Sequence, residues 1–236
     1  LPLLAKAYAL DAALTDLTKR YAARGDASEM GDIEGQAAAL KAISTWNTTH
    51  TLQTAREACG GQGYLTENRI GRLKADTDVF TTFEGDNTVL LLQVAKGLLS
   101  DFKEEFEDIN FFGVLRHLAG RAATQLSERN PVITRRTDPV HLRDPAFQHD
   151  AFMYREKRLL RSVAQDLKAR IDEGMDSFAA FMECQLALVE LAQAHGERLV
   201  LGAFIDRIDR CQDPELTAVL QPLRCLYALD GIASDR

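Results

Sequence analysis

GDNTVLLLQVAKGLLSDFKEEF, residues 85–106, sets Leu91, Val94, Leu98, Phe102 and Phe106 at steps of three and four, the repeat of one apolar helix face. No proline stands between Pro2 and Pro131, so nothing in that span deletes a backbone donor or jams a preceding turn. Upstream, Leu3 to about Arg24 places Leu3, Ala7, Leu10, Leu14, Leu17 and Tyr21 on one predicted face, with Gly25 as its stop. Asp26 and Glu29 have the spacing of a capping box, and a second helix runs from there through Ile33, Ala37, Leu40 and Ile43 to about Ala58. Gly60, Gly61 and Gly63 end it, and residues 64–83 read as an extended connection with room for a short helical turn and no sheet.

Downstream, Phe111 to Leu126 gives a weaker fourth helix, and Pro131, Pro139 and Pro145, with Asn130, Asp138 and Asp144, read as a loop. Helical periodicity returns over 151–173, 177–208 and 216–229, with Gly196 and Gly202 as candidate interruptions of the middle stretch. The reading is an all-α chain, a helical bundle over 1–107 followed by a second helical domain over 108–236.

Composition narrows the function. Lys and Arg number 28 against 35 Asp and Glu, a net charge of −7 that offers a polyanion such as nucleic acid no general attraction. Apolar runs stop well short of the roughly 18 residues a membrane span needs. Cysteines 59, 184, 211 and 225 are scattered and form no C-x-x-C pair, as expected of free, buried thiols in a reducing compartment. The chain opens on Leu1 inside a helical pattern, which reads as the interior of a longer protein.

Two segments stand out as candidates for chemistry. AREACGGQGYL, 55–65, puts paired glycines just past a helix end, where a plain C-cap competes with a ligand contact. TFEGDNTVLL, 82–91, puts Glu84 between Phe83 and Gly85 at the mouth of the apolar helix. A carboxylate there can simply cap the helix. Alternatively, Gly85 admits a close neighbour and Phe83 forms an apolar wall that raises the carboxyl pKa, as a general base needs. His50, His117, His141, His149 and His195 show no metal-ligand spacing or carboxylate pairing, so no metal is expected. Cys59 reads as a small buried packing residue, and Arg135 and Arg136 as a solvated basic spot.

CGGQGYLTENRI followed by TFEGDNTVLLLQVAKGLL resembles the C-terminal helical part of the flavin-dependent acyl-CoA oxidases, relatives of the acyl-CoA dehydrogenases. The likeness covers about the first 107 residues, and the rest of the chain is similar in position and length to the extra helical domain of the oxidases. The resemblance implies a flavoprotein oxidising acyl-CoA to trans-2-enoyl-CoA in fatty acid β-oxidation. Glu84 would be the catalytic base, with Glu84 and Gly85 contacting substrate and the Glu84 amide donating to the thioester carbonyl. It further implies FAD contacts from Glu57, Gly60, Gly61, Gly63, Asp86 and Thr88, the cofactor being shared across a homodimer or larger homo-oligomer. A dehydrogenase with another electron acceptor and a non-catalytic helical module are the alternatives. The family's flavin-binding domains are missing here, so this piece alone is expected to be inactive. The ending -SDR is not the S-K-L peroxisomal address, which reads as a bacterial cytoplasm.

Overall fold

The computed structural model describes residues 1–25, 28–104 and 137–234. Its α-helices are α1 (Pro2–Ala23), α2 (Ser28–Ala58), α3 (Ile70–Asp78), α4 (Asn87–Glu104), α5 (Pro139–Arg143), α6 (Pro145–Asp172), α7 (Ser177–Glu183), α8 (Gln185–Asp209) and α9 (Pro214–Ser234). Among the described residues there is no strand, in keeping with the all-α reading. The Asp26 cap, the 111–126 helix, Arg135, Arg136 and the division at 107/108 all lie outside the described residues.

Helix α8 is the axle. Leu188, Leu191, Ala192, Val200, Leu201 and Phe204 are each fully buried on it, at spacings that leave little of its surface polar. A helix apolar on most sides belongs in the middle of a bundle. One core cluster gathers Ala5, Ala9 and Leu10 of α1, Ile43 of α2, Phe152 of α6, Phe204 of α8 and Tyr227 of α9. A second joins Ala39 and Ala42 of α2, Leu91 and Val94 of α4, Val163 of α6 and Leu188 of α8. Both clusters draw on helices from the two sides of residue 107.

Four expectations need correction. The buried face of α1 is Ala5, Ala9, Leu10, Ala12 and Ala13, whereas Leu14 and Tyr21 are exposed. The small face wins because alanines let α1 approach the axle closely, and the contacts made at short range outweigh the larger leucines' area. Residues 64–83 are not extended: short 3-10 turns at Gly60–Tyr64, Thr66–Asn68 and Val79–Thr81 flank α3. The proline-rich stretch starts helices rather than only linking them. Asp138 accepts from the His141 amide at 2.9 Å and Asp144 from the Ala146 amide at 3.0 Å, each followed by proline at the first helical position. The interruption near 177–208 falls at Cys184, between α7 and α8, and Gly196 and Gly202 continue the helix. Gly196 is where α2 comes nearest: a Cβ there would lie 2.4 Å from Ile43 Cδ1.

Candidate active site

Helix α2 ends at Ala58, and the chain then turns through Gly60, whose φ is +55°. Nothing lies within 4 Å of a Cβ built on Gly60 or Gly61, so their backbone is bare to an approaching group. Gly63 is the opposite case. It is buried, and a Cβ there would sit 2.1 Å from the Arg56 carbonyl oxygen, so glycine is needed for the turn to fold back on α2. The Arg56 guanidinium lies 4.9 Å over the Tyr64 ring and donates to Gln53 Oε1 at 2.7 Å. Glu57 accepts from the Gln53 amide and is exposed beside this turn. Cys59 is exposed as well, against the expected buried thiol; Cys184 is buried, and burial pushes its thiol pKa up.

The second segment folds against the same helix. Phe83 follows the Val79–Thr81 turn, its ring 5.1 Å from that of Phe80. Glu84 and Gly85 then take φ of +55° and +100°, two successive left-handed residues. The helix does not begin at Glu84. Asp86 is its cap, with Oδ1 accepting from the Thr88 amide at 2.9 Å and the Val89 amide at 3.4 Å. Glu84 therefore stands ahead of the helix mouth, and the capping alternative passes to Asp86. The apolar wall is not closed in this chain, since Phe83 is 42% exposed and Glu84 is itself exposed. Among the described residues no side chain donates to the Glu84 carboxylate and none accepts from its amide.

Residues that the sequence reading missed hold this turn. Asn87 is 1% exposed; its Nδ2 donates to Thr45 Oγ1 at 2.9 Å and the Ala42 carbonyl at 3.3 Å. Lys41 Nζ donates to Asn87 Oδ1 at 2.8 Å and to the Gly85 carbonyl at 2.7 Å. These partners are more than forty residues apart in the chain, so no spacing rule could have joined them. A further misreading concerns His195, which does have a carboxylate partner: Nδ1 lies 2.9 Å from Glu156 Oε1, and Arg198 donates to the same carboxylate. Among the described residues no three His, Cys, Asp or Glu side chains gather as a metal site would require.

Residues 1–99 match the family model for the acyl-CoA oxidase C-alpha1 domain, and residues 144–236 match that for acyl-CoA oxidase. Acyl-coenzyme A oxidase 2, peroxisomal, of Arabidopsis thaliana is 41% identical over 238 residues, covering 100% of this chain and 34% of that protein. The crystal structure of acyl-CoA oxidase 3 from Yarrowia lipolytica superposes with a TM-score of 0.80 at 25% identity, over 99% of this chain and 35% of that one. Acyl-CoA oxidase-1 of Caenorhabditis elegans, complexed with FAD and ATP, has the same fold, with a TM-score of 0.77 at 22% identity over 99% of this chain and 36% of that one. The chain thus spans about a third of the length of the relatives it matches. The expected bacterial cytoplasm is overturned: the Arabidopsis relative is a peroxisomal protein. A three-residue address is read by a receptor and carries no information from the folded body, which is where the likeness lies.

Proposed function

The chain belongs to the acyl-CoA oxidase family, and from that premise we propose that it is the C-terminal portion of an FAD-dependent enzyme that oxidises an acyl-CoA to a trans-2-enoyl-CoA. In this reading Glu84 removes the proton from the α-carbon of the thioester. That carbon acid is weak, and the charge it releases collects on the thioester oxygen, so a hydrogen bond aimed there lowers the barrier as much as the base does. The Glu84 amide, with no acceptor among the described residues, is available to donate it. FAD, when bound, supplies the acceptor for the hydride that leaves the β-carbon. Glu57 and the bare Gly60–Gly61 backbone, with Gly63 setting the turn, suit close approach of such a cofactor, and the C. elegans relative's FAD supports the assignment. Asp86 and Thr88 follow the base as further contacts, although the Asp86 carboxylate is already engaged in its cap.

We assign the cofactor's other walls to a second copy of the chain in a homodimer or larger assembly. The exposed Tyr64, Leu65, Phe80 and Phe83 beside both segments support that assignment.

The observation that carries the reading is the exposed, unpartnered Glu84 carboxylate on a left-handed turn whose following residues are anchored to α2. The test is anaerobic reduction of the full-length, FAD-loaded enzyme by acyl-CoA. Glu84→Gln is expected to slow flavin reduction by about 10² to 10⁴ or more, the range of a lost general base. An unchanged rate would leave only a helical assembly module.

A further inference from the structure

We propose that Lys41 is a positioning residue for the base, an inference that rests on the reading of Glu84 as that base. Two left-handed residues in succession, one of them a glutamate, form a turn that the chain does not hold by itself. Such a conformation persists only where its surroundings over-determine it. Here the turn is fixed on its helix side, because Asp86 caps α4 and the buried Asn87 amide is bonded to Ala42 and Thr45 of α2. Lys41 adds the contact nearest the base, the Gly85 carbonyl, one residue from Glu84.

The chemistry of the clamp calls for an ammonium. Gly85 O and Asn87 Oδ1 are both acceptors, and Lys41 offers each a charge-assisted donor from one nitrogen at 2.7 and 2.8 Å. A glutamine amide has two donor hydrogens but lacks both the charge and the full reach of the lysine stem. Gly85 has its own requirement: at a φ of +100° a side chain would be strained, so the turn needs glycine beside the base. Lys41 itself is only partly buried, and Asn87 keeps two bonds to α2 without it. Removing the ammonium therefore loosens the turn at Glu84 more than it loosens the bundle.

The test uses the full-length, FAD-loaded enzyme and separates rate from binding. In Lys41→Met the limiting rate of flavin reduction is expected to fall about 10- to 100-fold, the loss that an ångström-scale misplacement of a reacting group produces. The dissociation constant for acyl-CoA should stay near that of the parent, the melting temperature should fall only by the few degrees that the lost Asn87 Oδ1 partner costs, and Lys41→Arg should recover much of the rate. Should Lys41→Met fail to retain FAD, Lys41→Gln carries the same expectation. A neutral variant that reduces flavin at the parental rate, while Glu84→Gln is inactive, overturns the clamp and leaves the base standing. A rate loss that comes with an equal loss of acyl-CoA binding, or that Lys41→Arg does not recover, also overturns it, as a merely structural contact. An active Glu84→Gln removes the base, and the role of Lys41 with it.

Discussion

A carbonyl oxygen in a helix cannot step aside as a methyl can, and that difference separates three glycines of this chain. Alanine at Gly63 would drive its Cβ to 2.1 Å from Arg56 O, a backbone atom at the end of α2. Alanine at Gly196 would meet Ile43 Cδ1 at 2.4 Å, the tip of a side chain that can change rotamer. Alanine at Gly60 meets nothing but must hold a φ of +55°. We expect Gly63→Ala to cost at least about 3 kcal/mol, and Gly60→Ala about 1–2 kcal/mol for the left-handed residue. Gly196→Ala should be close to neutral, the rotamer cost of about 1 kcal/mol being offset by a similar gain in helix propensity. Melting temperatures of the three full-length variants give the order directly. The sequence marked Gly60, Gly61 and Gly63 as a turn without distinguishing the bare pair from the jammed one. That distinction depends on where the chain folds back, which local spacing does not encode. Lys41 and Thr45 were illegible for the same reason, since an amphipathic helix carries many lysines and threonines and only the docking of α4 selects these two.

Among the elements, α6 and α8 are joined by a carboxylate shared between a histidine and an arginine. Glu156 on α6 accepts from Arg198 and pairs with His195 at 2.9 Å, with the three side chains between 12% and 24% exposed. Burial pushes the Glu156 pKa up, but the hydrogen bonds from His195 and Arg198, together with their charges, outweigh it and hold the carboxyl below its ordinary 4.5. A depressed carboxyl contributes stability above its unfolded pKa, and that contribution is lost as pH falls through the folded value. The melting temperature of the enzyme should therefore fall more steeply below about pH 4.5 than that of Glu156→Gln, whose neutral amide has no such proton to take up. At pH 7 the variant should be the less stable by roughly 1–3 kcal/mol, short of the cost for a fully buried pair because Arg198 still reaches water. Parallel acid dependence of the two would remove the linkage. Elements were the most legible level of this chain. The stripe in α4 is the buried one at Leu91 and Val94, because a long helix with large apolar side chains has one way to face a core. The signals that misled were double-edged. Asp138-Pro139 and Asp144-Pro145 look like loop punctuation, yet each is a cap followed by proline at a helix start, and Asp213-Pro214 repeats the device, with Asp213 accepting from the Glu215 amide at 2.9 Å. The stretch 64–83 escaped because α3 buries none of its residues and so leaves no periodic stripe to detect.

At the level of the whole molecule, α8 carries the deepest core and the candidate site has a run of exposed apolar side chains beside it. Tyr64, Leu65, Leu73, Val79, Phe80, Phe83 and Val89 are each between 41% and 64% exposed, and all belong to the stretch that carries the glycine turn and Glu84. The second copy of the chain proposed above would cover such a surface. Covering a half-exposed phenylalanine contributes about 1 kcal/mol, so the seven together, set against the cost of association, favour weak, concentration-dependent self-association. Residues 1–236 produced by themselves should therefore sediment as a concentration-dependent mixture, and replacing Val79, Phe80 and Phe83 by serine should shift that mixture toward monomer. The same three replacements in the complete enzyme should have the opposite character. The bundle around α8 does not use these side chains and should persist, whereas FAD retention through gel filtration should drop, because the face that closes the site has lost its adhesive. A parent fragment that is monomeric at every concentration, together with a substituted enzyme that keeps its full complement of FAD, would mean that these aromatics face water in the complete protein. The site would then have to be closed from another side.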